Sequence, residues 1–179
     1  MALGATIYTF DIELADADRA VYESLSLRVA QHPSETADYL MARVLAYCLE
    51  FAEGIEFSKG LSDPDEPAIC IRDLTGALQA WVDIGLPEPD RLHRASKAAP
   101  RVAVYTHKDP ALWAARVAQA KIHRAEKLDV FAFERAWLTN FVAKLERRMK
   151  FSLARSEEEI YLTNAGDTSQ TVLLRPLEG

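Results

Sequence analysis

Four carboxylate side chains, at three separate places in the chain, have types and surroundings that suit metal-assisted chemistry. Glu35 lies where a helical pattern opens, and Asp83 ends an apolar run. Asp65 and Glu66 lie between them in a polar loop. Mg²⁺ and Mn²⁺ prefer carboxylate oxygens and keep several waters. An ion held there polarises a phosphoryl oxygen and activates a water. The alternative interpretation is a solvated acidic loop and a glutamate that complements a helix dipole.

The elements that must position these side chains follow from the periodicity of residues 32–106. A 3.6-residue apolar pattern over residues 37–48 predicts a helix that opens at Pro33-Ser34 and closes at Gly54. Three short strands follow, at residues 55–59, 68–73 and 78–84, and the last two flank a turn at residues 74–77. A second helix starts at Glu88-Pro89-Asp90, and a strand covers residues 101–106.

The turn lengths predict that the acidic residues meet. A turn at residues 74–77 sets Asp83 opposite Ala68, and a shift by one residue sets it opposite Glu66. The first helix should run antiparallel to the following strand, which brings Glu35 near Lys59. The predicted site therefore consists of carboxylates and surrounding basic residues: Glu35, Asp65 or Glu66, and Asp83, with Lys59, Arg91 and Arg94.

The rest of the chain predicts an α/β class that leans towards α+β. Residues 5–14 and 22–30 alternate as an N-terminal β-hairpin. The pattern of residues 101–133 predicts a strand, a helix and a second strand, with the two strands parallel and joined by a right-handed crossover. Closing strands are predicted at residues 149–154, 159–162 and 171–174. We expect a single domain over residues 1–179, with one mixed β-sheet flanked by helices.

Composition limits the function classes. The 179 residues carry a net charge of −6, with a pI near 5.3, which argues against a broad, nonspecific nucleic-acid binder but leaves room for a local basic patch. No leader or membrane-length apolar run is evident, so we expect a cytoplasmic protein. Cys48 and Cys70 lie in apolar patterns and are predicted to be core residues rather than ligands or nucleophiles.

Three segments of this chain resemble the bacterial YaeQ proteins: His32-Pro33-Ser34-Glu35-Thr36, Asp65-Glu66-Pro67, and Trp81-Val82-Asp83-Ile84-Gly85-Leu86-Pro87. Those proteins are placed in the PD-(D/E)xK nuclease-like superfamily. Its core is a helix, three antiparallel strands, a helix and a strand, which is the order predicted for residues 32–106. The resemblance implies an N-terminal hairpin before this core and a C-terminal extension after it. It also implies that Glu35, Asp65 or Glu66, and Asp83 hold Mg²⁺ or Mn²⁺.

One position departs from the superfamily pattern. Two residues after the last acid, where the superfamily has lysine, this chain has Gly85. Lys59, Arg91 or Arg94 would have to supply the basic group. The first hypothesis is therefore a metal-dependent phosphodiesterase that acts on DNA or RNA. The second is a nuclease-fold protein that has lost catalysis and binds a nucleic acid or a transcription or translation component. A third is a purely structural or regulatory domain. A basic nitrogen close to the carboxylates favours the first hypothesis, and its absence favours the second.

Overall fold

The computed structural model describes residues 4–58 and 65–178. The predicted basic residue Lys59 and most of the polar loop lie outside these described residues. Within them the chain forms ten β-strands, four α-helices and one short 3-10 helix. In chain order these are β1 (Thr6–Asp16), β2 (Val21–Gln31), α1 (Ala37–Leu49), β3 (Ile55–Phe57), β4 (Ile69–Arg72), β5 (Leu78–Ile84), α2 (Pro89–Ala98), β6 (Arg101–Thr106), α3 (Ala111–Gln119), the 3-10 helix Ala125–Lys127, β7 (Asp129–Ala132), α4 (Arg135–Val142), β8 (Arg148–Ser156), β9 (Glu159–Asn164) and β10 (Asp167–Val172).

The strands form two five-stranded sheets, so the prediction of one mixed sheet is wrong, although the mixed α+β class is confirmed. The first sheet has the order β10-β9-β8-β1-β2 and the second the order β3-β4-β5-β6-β7. Both are mixed, because β1 pairs in parallel with β8, and β5, β6 and β7 are parallel to one another. The closing strands join the N-terminal hairpin through the β1–β8 pairing, which local patterns do not reveal.

The chain divides into two compact units, each made of two separate stretches of sequence. The first unit comprises residues 1–41 and 134–173, and the second comprises residues 42–133 and 174–179. The predicted last strand at residues 171–174 is therefore divided. β10 ends at Val172, and Leu174 forms an antiparallel bridge with Ala132 at the end of β7. The single-domain organisation stays a prediction.

The second unit contains the predicted element order. α1, β3, β4, β5, α2 and β6 follow one another as expected, and β3, β4 and β5 are antiparallel. The two parallel steps, from β5 to β6 and from β6 to β7, are connected by α2 and α3. One face of this sheet packs against these helices, where Trp81, Val102 and Val104 lie in a buried cluster with Leu92 and Trp113.

The register of β4 and β5 sets Asp83 where predicted, but the turn is one residue shorter than predicted, since Asp73 N donates a hydrogen bond to Ala77 O, and a register shift between Ile71 and Arg72 makes up the difference. Ile69 pairs with Val82 and Cys70 with Trp81, which sets Asp83 at the level of Ala68. The carboxylate of Asp73 organises the turn, since its Oδ1 accepts hydrogen bonds from Thr75 N at 2.9 Å and Ala77 N at 3.0 Å. An Asx-type turn of this kind sets the register next to the turn, and the irregularity between Ile71 and Arg72 shifts it by one residue for the rest of the two strands.

α1 is shorter than predicted at both ends. Thr36 caps its N-terminus, because Thr36 Oγ1 accepts a hydrogen bond from Tyr39 N at 3.1 Å. The helix ends at Leu49, so Gly54 does not close it. Gly54 serves a different purpose: its φ is +88°, and a Cβ there would lie 2.1 Å from Arg72 O. Glycine is required at this position because β4 approaches the backbone so closely.

The first unit packs its sheet against α4 through aromatic residues. The predicted N-terminal hairpin is confirmed, with an unbroken antiparallel register from Thr6–Gln31 to Asp16–Val21. Phe151 of β8 contacts both Phe10 of β1 and Phe141 of α4 in edge-to-face geometry. Trp137 Nε1 donates a hydrogen bond to Ser169 Oγ at 3.0 Å, which joins α4 to β10.

Two further expectations concern the cysteines and the membrane. Cys48 and Cys70 are buried free thiols, and burial raises the pKa of Cys48 to about 12, which removes it as a nucleophile near neutral pH. None of the helices in the described ranges combines the length and the apolarity that crossing a bilayer requires.

A carboxylate joins the β1–β2 loop to the β8–β9 turn. Asp18 accepts hydrogen bonds from Glu157 N at 2.7 Å and from Glu158 N at 3.2 Å, where both donors have positive φ. The bond from Glu157 lowers the pKa of Asp18, partial burial opposes this, and Glu158 N and the charge of Arg155 lower it further. The depressed pKa means that folding favours the ionised form of Asp18.

Asp18→Ala should therefore destabilise the protein in a pH-dependent way. We expect the free energy of unfolding at pH 7 to fall by about 1 kcal/mol, since the lost hydrogen bonds are partly exposed. Because the folded pKa lies below the unfolded one, this contribution is present at higher pH and disappears as the pH falls below about 4. Urea unfolding at pH 7 and pH 3 measures the difference. Asp167→Ala removes an equal charge from the same sheet and should change little at either pH.

Candidate functional site

The candidate site is centred on an ion pair between Asp83 and Arg91. Asp83 lies near the end of β5 with 3% of its surface exposed. Arg91 lies in the first turns of α2, and its Nε and Nη2 reach Asp83 Oδ2 at 2.8 Å and Oδ1 at 3.1 Å. This bidentate geometry is the strongest arrangement that arginine forms with a carboxylate. A basic nitrogen therefore lies beside the predicted acid, as the nuclease hypothesis requires.

The same guanidinium also holds the segment before β4. Arg91 Nη2 donates a hydrogen bond to Glu66 O at 2.6 Å. The ring of Trp81, two residues before Asp83 on the same face of β5, lies under the guanidinium, 5.2 Å from Arg91 Cζ. Arg91 thus brings together two of the predicted positions, Asp83 and the segment at Glu66, across α2, β4 and β5.

Three other residues of the predicted site, Asp65, Glu66 and Arg94, lie at the surface of the second unit. The side chain of Asp65 is 86% exposed and approaches Arg94 at 3.9 Å. Arg94 is itself 54% exposed, so this pair is weak. Glu66 is exposed and contributes its backbone carbonyl to Arg91 rather than its carboxylate. Arg91 is therefore tightly engaged, whereas Arg94 presents its charge to solvent.

Glu35 belongs to the first unit and forms local contacts. Its Oε1 accepts a hydrogen bond from His32 N at 3.3 Å, and its carbonyl accepts one from Gln31 Nε2 at 3.0 Å. His32 Nδ1 in turn accepts a hydrogen bond from Ser34 N at 3.1 Å. These bonds build the turn that leads from β2 into α1. The proposed joint role of Glu35 and Asp83 stays a prediction.

The described side chains do not fit a metal centre in this arrangement. Across residues 4–58 and 65–178, no group of three or more His, Cys, Asp or Glu side chains is placed to hold a metal ion. Both oxygens of Asp83 accept hydrogen bonds from a cationic side chain, and Asp65 extends into solvent. The predicted Mg²⁺ or Mn²⁺ site stays a prediction, and it would require these side chains to move.

Gly85 forms a turn in which any residue with a Cβ would be strained. Its φ is +97°, a conformation that residues with a Cβ rarely adopt, and its N–H donates a hydrogen bond to Tyr105 O at 2.9 Å. The chain turns here from β5 towards α2, which brings Arg91 back over Asp83. A lysine at position 85 would be strained, and the chain continues from this turn into α2, which carries Arg91.

A second charged cluster was not predicted from the sequence. Arg101 Nη2 and Nε bind Glu50 Oε1 at 2.7 Å and Oε2 at 3.1 Å, and Arg101 also pairs with Asp129. Tyr105, fully buried, donates a hydrogen bond to Glu50 Oε1 at 2.8 Å. Burial opposes the charge of Arg101, but hydrogen bonds and charge interactions with Glu50 and Asp129 outweigh it and raise the pKa of Arg101. The charge of Arg101 is therefore compensated within the protein by Glu50 and Asp129. The available signal was an acidic residue, Glu50, directly after an apolar helix.

Breaking the central pair should destabilise the second unit strongly. Asp83→Ala and Arg91→Ala each leave one charge without its partner, and we expect each to lower the free energy of unfolding by about 3 kcal/mol. The double variant should lose less than the sum of the two, by at least about 1 kcal/mol, because the lost interaction is shared. Urea unfolding of the four proteins of the cycle measures this coupling.

The exposed pair provides a matched control for that cycle. Asp65→Ala, Arg94→Ala and their double variant should each change stability by less than about 1 kcal/mol, with little coupling. Equal coupling in the two cycles would show that the Asp83–Arg91 contact is no stronger than a surface ion pair.

Comparison with known proteins identifies relatives over nearly the whole chain. A family model described as YaeQ protein matches residues 1–173. The YaeQ protein of Escherichia coli (strain K12) is 32% identical over 166 residues, which covers 92% of this chain and 91% of that protein. The crystal structure of YaeQ from Xanthomonas axonopodis pv. citri superposes with a TM-score of 0.88 and 30% identity, over 96% of this chain and 97% of that one. The structure of YaeQ from Pseudomonas syringae gives a TM-score of 0.86 and 29% identity, over 96% and 95% of the two chains.

Proposed function

Because this chain belongs to the YaeQ family, its function has to suit a fold that the family shares, and we propose that it is a nuclease-like protein that binds nucleic acid. The proposal assigns the core of the second unit to the PD-(D/E)xK nuclease-like superfamily. Support comes from the element order of residues 37–106, which is a helix, three antiparallel strands, a helix and a strand. Fold likeness alone does not define an activity, so the argument must rest on the site.

The Arg91 guanidinium carries the proposal. It contacts both Asp83 and the segment at Glu66, the two strand-end positions at which the superfamily carries acidic residues. A basic group lies between these positions without a lysine at position 85. Because Arg91 neutralises Asp83, the buried acid does not repel a phosphodiester that approaches this end of β5. An anionic ligand can therefore approach this end of β5, although the site contains the acidic residue Asp83.

Exposed cations on the same helix would contact that ligand. Arg94 lies one turn after Arg91 on α2, and Lys97 lies a further turn along. Both are exposed, and we call them the α2 ridge. Arginine and lysine side chains are the usual phosphate contacts of nucleic-acid-binding proteins, and two of them lie on the same exposed side of this helix. We therefore propose DNA or RNA as the ligand, held mainly by contacts to phosphates, in the cytoplasm.

Metal-dependent cleavage is the second candidate function. The observation that favours it is the burial of Asp83 beside a basic nitrogen at 2.8 Å, which is the pairing of acid and base that the superfamily pattern requires. The described residues do not form a metal centre, so no catalytic step through Mg²⁺ or Mn²⁺ can be written for this arrangement. The binding function needs no such rearrangement, and the geometry supports it better.

Binding should depend on the α2 ridge. We expect Arg94→Gln combined with Lys97→Gln to weaken binding of labelled single- and double-stranded oligonucleotides by about tenfold or more at low salt. The slope of log K against log salt for duplex DNA should shrink by about 0.9 for each lost phosphate contact. Fluorescence anisotropy over a salt series measures both quantities.

A charge-matched variant controls for the loss of net positive charge. Arg135→Gln combined with Lys144→Gln removes two exposed cations of the first unit and should leave binding close to that of the wild type. If both double variants weaken binding equally, the α2 ridge is not the contact surface. If the wild type binds none of the oligonucleotides at 50 mM salt, the proposed function is wrong.

Cleavage is measured on the same oligonucleotides. The binding function predicts intact substrate after incubation with millimolar Mg²⁺ or Mn²⁺. Cleavage by the wild type that disappears in Asp83→Asn, with retained folding, would instead establish the second candidate. Asp90→Asn, which neutralises an exposed acid in the first turn of α2, provides the control for a general loss of acidic charge near the site.

A further inference from the structure

We propose that the Arg91 guanidinium takes the position of the metal ion at Asp83, so that this site is neutralised by the protein itself and binds a divalent cation only when Arg91 is removed. The inference rests on the nuclease-like assignment proposed above, since that assignment is what leads one to expect a cation there. The resemblance implies a metal ion bound at Asp83, whereas we expect no ion to bind there while Arg91 is present.

The first argument is the geometry at the carboxylate. Arg91 Nε binds Asp83 Oδ2 at 2.8 Å and Nη2 binds Oδ1 at 3.1 Å, so each oxygen already faces a positive donor. An ion that coordinates Asp83 would lie within a few ångströms of the guanidinium, and two positive charges at that distance repel each other strongly. Metal binding and the bidentate contact therefore exclude each other.

The second argument is that Arg91 is held by more than Asp83. Glu66 O accepts a hydrogen bond from Arg91 Nη2 at 2.6 Å, and the Trp81 ring lies against the guanidinium. The Arg91 side chain is only 22% exposed, so these contacts are largely shielded from water. To admit a cation, the guanidinium would have to leave all three groups together. Arginine suits this position because its planar fork binds several acceptors at once and keeps its charge at any physiological pH.

The third argument is the scarcity of other ligands. No group of three suitable side chains occurs among the described residues, so an ion at Asp83 would have only the oxygens that Arg91 now occupies, those of Asp83 and Glu66 O, with waters completing its coordination. Asp65 extends into solvent beside Arg94, and Glu66 contributes its carbonyl to Arg91. A guanidinium needs only one carboxylate and one carbonyl here, and both are present.

Mn²⁺ binding tests this exchange directly, without nucleic acid. We expect the wild type to show no Mn²⁺ binding at millimolar concentration by electron paramagnetic resonance or calorimetry. Arg91→Ala leaves the buried Asp83 carboxylate without its cation, and it should bind Mn²⁺ at least tenfold more tightly than the wild type. Arg91→Gln keeps a hydrogen-bond donor but loses the charge, so it should gain affinity as well. Asp83→Asn in either background should abolish the gained site.

Controls separate this exchange from a general change in charge and from misfolding. Arg135→Ala removes an exposed cation of the first unit and should leave Mn²⁺ binding at the wild-type level. Because Arg91→Ala is destabilising, its thermal midpoint is followed with and without Mn²⁺, and we expect the ion to raise it. If that variant fails to fold, Arg91→Gln supplies the measurement.

Two results would overturn the inference. One is Mn²⁺ binding by the wild type that Asp83→Asn abolishes, which would mean that the ion displaces or tolerates Arg91. The other is that neither folded Arg91 variant gains affinity. Both results are independent of oligonucleotide binding, so the inference and the proposed function can fail separately.

Discussion

A carboxylate that is buried at the end of a strand must be neutralised where it lies, and this constraint governs the second unit. Asp83 is 3% exposed, and its partner Arg91 comes from the next helix along the chain. The pairing fixes the start of α2 over β5, and the same guanidinium holds the segment before β4 at Glu66. One ion pair thus orders three elements that meet at one end of the sheet. Losing either partner would leave a charge that neither water nor protein compensates.

The chain applies the same solution to its other buried acids. Glu50 is paired with Arg101, and the fully buried Asp16 has Arg19 at 2.8 Å and Arg155 at 3.8 Å. Each of these acids is matched with arginine rather than lysine, as expected where one side chain must satisfy several acceptors while largely dehydrated. Although the chain carries a net charge of −6, each of these three buried acids, Asp83, Glu50 and Asp16, has an arginine partner. Basic residues that look available in the sequence, such as Arg101, are committed to this role.

Local patterns predicted the part of the fold that depends on neighbours in sequence. The order of elements from α1 to β6 and the approach of Arg91 to Asp83 follow from turn lengths and periodicity. The level of Asp83 beside Ala68 was also predicted, but it depends on a register shift between Ile71 and Arg72 that the sequence does not reveal. The division into two sheets does not follow from such patterns, because the parallel pairing of Thr9 with Arg148 joins segments that carry no mutual signal. Neither does the partner of Arg101, since Glu50 is distant in sequence and the pairing depends on how α1 packs. The turn at Gly85 could be predicted only in part: the sequence shows a glycine there, but it does not show that its φ is positive.

The interleaved arrangement of the two units has a consequence for biosynthesis. β1 and β2 leave the ribosome first, yet β8, which pairs with the free edge of β1, follows only after the entire sheet of the second unit has been translated. At ordinary elongation rates that interval is on the order of ten seconds, during which β1 exposes an unpaired edge. Such an edge is a template for pairing with other chains. Until β8 is made, the edge of β1 that it will cover is therefore open to pairing with other chains.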